Sequence, residues 1–130
     1  MKSVTNLMIN VYNLHKIDFM GYRFTRNNAS YHHLIIPRRL GGKETIENGA
    51  VLNGKTSHPY LHKIESVDLD AFNYITSEMI DINIKGYLDF DNLRRIDDVL
   101  CQFEKEHCSD TTKKGKLLIK EEYTRRFRDF

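Results

Sequence analysis

The chain is poor in the features that would place it in several common classes. Its 130 residues hold only two cysteines, Cys101 and Cys108, and neither belongs to a C-x-x-C pair. That argues against a cysteine-built structural zinc site. The two lie seven apart in a stretch with helical periodicity, so about 10 Å would separate their α-carbons, too far for a disulfide. Both are expected reduced and packed, and His107 beside Cys108 faces another direction on a helix. Apolar runs are also short: Leu34-Ile35-Ile36 is as long as they become, far from a membrane span. The opening MKSVTNLMINVYNL breaks its apolar residues with Ser, Thr and Asn, unlike the centre of a signal peptide. The expectation is a cytoplasmic protein with no membrane partner. There is no internal repeat and no low-complexity tract; only Lys113-Lys114-Gly115-Lys116 reads as a charged loop.

What is present is an ordinary soluble composition, 29% charged and 40% hydrophobic, at a length that suits a single domain over residues 1–130. The net charge of +2 is unevenly spread. Residues 67–108 carry ten acidic and four basic side chains, whereas 109–130 carry four acidic and seven basic, and the earlier segments are basic. A polyanion could meet the basic parts, leaving the acidic helical half for a protein partner.

Proline and histidine are concentrated in one place. Both prolines, four of the six histidines and four of the seven glycines fall between Tyr31 and Glu65. His32-His33 open this stretch; His58 and His62 close it, four apart and so on one helix face. Short apolar segments flanking Gly41-Gly42 give a strand-turn-strand-helix order, with Ser57 as the expected helix N-cap and Pro59 tolerated in the first turn. Imidazole nitrogen suits zinc, nickel and other divalent ions. His32, His58 and His62 would hold one such ion with positions left open, and His33 would remain as a base. Neighbours on a regular strand point to opposite faces, so His32 and His33 can share a site only if the strand twists or bulges. Arg38 and Arg39, on the connecting loop, are candidate phosphate contacts.

Elsewhere, Leu7, Ile9 and Val11 alternate with polar residues or Met, and Phe19–Thr25 alternates again, so residues 1–30 are expected to be a β segment. After the histidine stretch the pattern is helical. Asp68 caps a helix with an apolar side of Leu69, Phe72, Ile75, Met79 and Ile82, ending at Gly86. A second begins near Asp89 or Asp91, with Leu93, Ile96, Leu100 and Phe103 inward. A third runs from Thr112 to Phe127 with Arg125, Arg126 and Arg128 exposed. Together with 66–130 as a helical extension, the fold class is α+β.

The composite His-His, an Asn fifteen residues after the second His, and a His-x-x-x-His helix resembles the HNH endonucleases of the ββα-metal fold. Pro37, the basic pair at 38–39, the Gly41-Gly42 turn and Thr45–Asn48 (TIEN) add to it. The resemblance covers 31–65, about a quarter of the chain. It implies a phosphodiester hydrolase acting on nucleic acid, DNA rather than RNA, with a phage or mobile-element setting. By that resemblance His33 activates water, His32, His58 and His62 bind one divalent ion (Mg, Mn, Zn or Ni), and Asn48 holds the loop and orients the base. The distance from Asn48 to the helix histidines is one residue longer than the commonest pattern, and Asn53 is a rival for the asparagine role. A catalytically silent module that binds nucleic acid or a protein, as an accessory factor or inhibitor, is the alternative. A structural zinc site comes third.

Overall fold

A computed structural model describes residues 3–12, 17–23, 26–107, 121–124 and 126. Among these are four α-helices and one two-stranded antiparallel sheet, an α+β arrangement. The order is α1 (Val4–Val11), β1 (Ala29–His33), β2 (Gly49–Asn53), α2 (Ser57–Val67), α3 (Leu69–Lys85) and α4 (Phe90–His107), with short 3-10 turns at Arg26–Asn28, Arg38–Leu40 and Glu121–Thr124. No helix among the described residues is long and apolar enough to cross a membrane.

Residues 4–11 correct the expected N-terminal strand: they form a helix. The alternating residues Leu7 and Val11 are the exposed ones, while Met8, Ile9 and Tyr12 are buried. Met8 and Tyr12 repeat at the helical spacing of four, and the Ser3 hydroxyl caps the helix by accepting from the Asn6 N–H at 3.2 Å. Nor do the described residues 19–23 form a strand; Phe24 and Thr25 lie outside the described residues. They pair only through an isolated Ile17–Arg23 bridge, and Phe19, Met20 and Tyr22 are all buried rather than alternating. Gly21 takes a left-handed φ of 89° in the turn between them.

Asp18, fully buried in that turn, is the reason for its shape. Its Oδ1 accepts from the N–H groups of Met20 (2.9 Å) and Tyr22 (3.0 Å). Its Oδ2 accepts from the Asn53 N–H at 2.7 Å and from the Ser57 hydroxyl. Burial pushes this carboxyl above its usual range, and the four donors pull it back. One side chain thus fastens the N-terminal turn to the junction of β2 and α2. Ser57 is the first residue of α2 rather than its cap; the N-cap is Thr56, and the Ser57 hydroxyl is spent on Asp18. Pro59 does lie in the first turn.

β2 is buried along its whole length, and the core gathers Val51 and Leu52 with Met8, Phe19, Tyr60, Leu61, Ile64, Ile75, Met79, Ile82, Ile96 and Phe103. α3 and α4 follow the sequence closely. Asp68 accepts from the Ala71 N–H at 3.1 Å, Gly86 closes α3 at φ 81°, and Leu93, Ile96, Leu100 and Phe103 are buried. Leu69, expected inward, is exposed. The Tyr12 hydroxyl donates to Asn83 Oδ1 at 2.6 Å, and Asn83 Nδ2 donates to the Gly49 carbonyl at 2.9 Å, joining α1, α3 and β2.

The helix expected over 112–127 lies mostly outside the described residues, as do Cys108, Arg125 and Arg128. Arg126 is described, and it is buried rather than exposed. Its guanidinium pairs with Glu104 and with Asp97 (2.7 Å), beside the Tyr22 ring. Cys101, expected packed, is exposed. Half of the ten carboxylates of the acidic helical half are paired by three cations: Arg95 engages Glu78, Lys85 engages Asp81 and Asp89, and Arg126 engages Asp97 and Glu104, which leaves that half net negative.

Candidate metal centre

β1 and β2 pair in unbroken register, Ala29 with Asn53 through His33 with Gly49. No bulge interrupts β1, so its side chains alternate. Ser30 and His32 point towards α2, while Tyr31 and His33 point the other way, their rings edge to face at 4.9 Å. The bulge that would bring both histidines to one face is absent.

On the α2 side, His32, His58 and His62 converge. Each offers one ring nitrogen, and these atoms lie within 4.8 Å of one another. His58 and His62 sit one turn apart with ring centroids at 4.9 Å, and His32 packs against them at 5.1 and 5.2 Å. His32 Nδ1 is 3.3 Å from His58 Nε2. Two nitrogens bound at 2.0–2.1 Å to one tetrahedral ion stand about 3.3 Å apart, so this separation fits a shared cation. His32 Nε2 is buried with no partner.

The other two rings do have outer partners. His58 Nδ1 lies 2.7 Å from the Ser30 hydroxyl, and His62 Nδ1 lies 3.1 Å from Glu65 Oε1, leaving Nε2 of each ring turned to the cluster. Burial holds His32 down at about 3, with the neighbouring histidines adding to the effect; burial and then His62 and His33 lower His58. Both rings are therefore neutral near pH 7 and keep a lone pair for a metal. His62 is half exposed and forms the open side of the group. Three imidazoles with one side open to solvent match a site that retains exchangeable positions, whereas a closed structural site needs a fourth protein ligand. No fourth histidine, cysteine or carboxylate joins the group among the described residues.

His33 does not enter the cluster. It is half-buried, backed by Tyr31, and borders a cleft rather than the packed interior. Its charge is close enough to contribute to the lowering of both His32 and His58.

Asn48 is buried at the start of β2 and ties the β1–β2 loop together. Its Oδ1 accepts from the N–H groups of Ile35 (3.1 Å) and Ile36 (2.8 Å); its Nδ2 donates to the carbonyls of Ile36 and Lys43, each at 3.0 Å. Asn53 has a different task. Its Oδ1 accepts from the Lys55 and Thr56 N–H groups and its Nδ2 donates to the Arg23 carbonyl, shaping the entry to α2. Between the rivals, Asn48 is the one on the loop that follows His33. Arg38 and Arg39 are exposed on the 3-10 turn of that loop; Arg38 borders the His33 cleft and Arg39 is not among its lining residues.

Ser30, Glu65, Tyr31 and Lys43 were missed by sequence reasoning. Only the β-strand alternation of Ser30 with His32 and the three-residue step from His62 to Glu65 could have indicated two of them. No protein-family model matches this sequence, and no curated protein or solved structure is significantly similar to it.

Proposed function

We propose that this protein is a metal-dependent endonuclease of the HNH kind, hydrolysing phosphodiester bonds in nucleic acid, with DNA the expected substrate. The observation that supports the reading is the convergence of His32 from β1 with His58 and His62 from α2, with His33 next to His32 along the strand. Asn48 supports it, since four hydrogen bonds from one side chain fix the loop that follows His33. His32, His58 and His62 would hold the cation, which when bound would supply a Lewis acid to the phosphodiester. The donor set of three imidazoles suits zinc or nickel better than magnesium, which prefers oxygen ligands.

His33 is the residue that takes a proton from the attacking water, with Tyr31 fixing the plane of its ring. Because His33 and the triad occupy opposite faces of β1, the scissile phosphate lies along the margin of that strand. Arg38 and Arg39 offer exposed cations on the adjoining loop, where contacts to backbone phosphates position a duplex without reading its bases.

The same opposite-face geometry favours a second reading, a module that binds nucleic acid or a protein without cutting. A plasmid-nicking assay on wild type and His33→Ala, with and without chelator, separates the two. Metal-dependent nicking that disappears in the variant supports the enzyme. Pure protein that stays inert with magnesium, manganese, zinc and nickel supports the binding module.

A further inference from the structure

On the face of β1 away from His32, an open cleft of about 520 Å³ is bounded by Tyr31, His33, Arg38, Gly42, Lys43 and Glu44. None of the three converging histidines lines it. Arg38 and Lys43 are exposed, and neither has an ion-pair partner among the described residues, in contrast to the paired Lys85, Arg95 and Arg126.

The wall that carries Lys43 is built rather than loose. The Lys43 carbonyl is held by Asn48 Nδ2 at 3.0 Å. Just before it, the Gly42 N–H donates to the Pro37 carbonyl at 3.0 Å, and a Cβ on Gly42 would come within 1.9 Å of the Ile36 carbonyl oxygen. Just after it, the Tyr31 hydroxyl donates to the Thr45 carbonyl at 2.6 Å and accepts from the Thr45 N–H at 3.0 Å. The backbone is therefore clamped on both sides of Lys43, while its ammonium remains at the rim. The loop needs no reordering when an anion arrives, and only the Lys43 side chain has to be fixed.

We infer that this cleft receives a backbone phosphodiester next to the one being cut, and that Lys43, with Arg38, is its contact. The inference rests on the nuclease reading. His33 lines the same cleft and the triad does not, so the scissile phosphate lies at its His33 edge and the phosphate at Lys43 is its neighbour along the strand. Arg38 and Lys43 outnumber Glu44 around the cleft, so its charge suits an anion.

The test is binding of a short fluorescent DNA duplex to the full-length protein, followed by anisotropy across a range of salt concentrations. Wild type is compared with Lys43→Ala and with Lys105→Ala, a control on the distant α4. Lys43→Ala should weaken binding about 3–10-fold at low salt and reduce the slope of log K against log salt by about 0.7–0.9, the signature of one lost phosphate contact. Lys105→Ala should change neither. Thermal unfolding of Lys43→Ala should match wild type, since the clamps use backbone atoms. If wild type binds the duplex and Lys43→Ala behaves identically, the cleft assignment is wrong, while the nuclease reading is judged separately by the plasmid-nicking assay. If wild type neither binds nor cuts, both fall together.

Discussion

The Ser30 hydroxyl stands 2.7 Å from His58 Nδ1, across 28 residues of sequence, and turns the other nitrogen of that ring towards His32. A ligand histidine whose remote nitrogen is held by a partner keeps one tautomer and one orientation. Ser30→Ala should therefore weaken zinc or nickel binding by about 10–100-fold, read by calorimetric titration, with little change in the fold. Ser30→Thr, which keeps the hydroxyl, should recover most of the affinity. Equal affinity in wild type and Ser30→Ala would show that His58 needs no such support.

Metal removal gives a second expectation. A cation that binds the folded triad and not the unfolded chain raises stability by mass action, about 2.7 kcal/mol at a hundredfold excess over Kd. Zinc or nickel should raise the unfolding temperature and chelator should reverse the shift, leaving a folded apoprotein because the core does not depend on the ion. The shift should vanish in His58→Ala. A chelated protein that loses its helical circular dichroism would instead identify a structural ion.

Asn48→Ala should separate loop order from metal binding. The substitution strands the Ile35 and Ile36 N–H groups and the Ile36 carbonyl, while the Lys43 carbonyl keeps the Thr45 N–H, at a cost of about 2–3 kcal/mol. Denaturant unfolding should register that loss, while metal affinity stays within about threefold because the triad lies on other atoms. A large fall in metal affinity would mean that the loop and the triad are coupled.

Asp18→Ala should be among the most damaging single changes outside the site. It leaves three backbone N–H groups and the Ser57 hydroxyl without their acceptor in the interior, worth about 3–5 kcal/mol in urea unfolding. A loss below about 1 kcal/mol would contradict the fastening role given to this residue.

At alkaline pH three buried tyrosines should hold their protons late. Burial raises Tyr12 to about 12, and Tyr22 and Tyr60 higher still. A phenol with a raised folded value keeps its proton longer in the folded state than in the unfolded one. Its stabilising contribution is complete below the unfolded value of about 10 and is lost as pH rises from there towards the folded value. Of the seven tyrosines, these three should ionise only with cooperative unfolding, visible as a late step in tyrosinate absorbance. A single early step with the helices intact would refute the burial assigned to them.

The parts of this fold that were legible in the sequence are those with short-range signals. α3 could be read because Asp68, the three-four spacing of Ile75, Met79 and Ile82, and Gly86 are all local. The two strands and α2 were marked by the glycine turn and by the His58–His62 spacing. α1 was misread because a run as short as Leu7–Val11 contains both periods, and only burial tells which one counts. Ser57 looked like a cap because nothing nearby in sequence announces Asp18, 39 residues earlier. The same holds for Ser30 with His58 and for Arg126 with Glu104: polar pairs joined only by folding leave no periodic trace. The histidine triad was legible because identity and spacing carried it, but the face taken by His33 depended on an unbroken register that composition does not encode.

Tyr60 lies between the two α2 histidines, yet its hydroxyl donates to Glu104 at 2.8 Å and its ring stacks on Tyr123 at 4.5 Å. With Asp18 gripping the first turn of the same helix, α2 is moored at residues far outside the stretch that bears the histidines. That stretch is consequently not a portable cassette. Grafted alone into another scaffold, it would bring its imidazoles without the anchors that aim them.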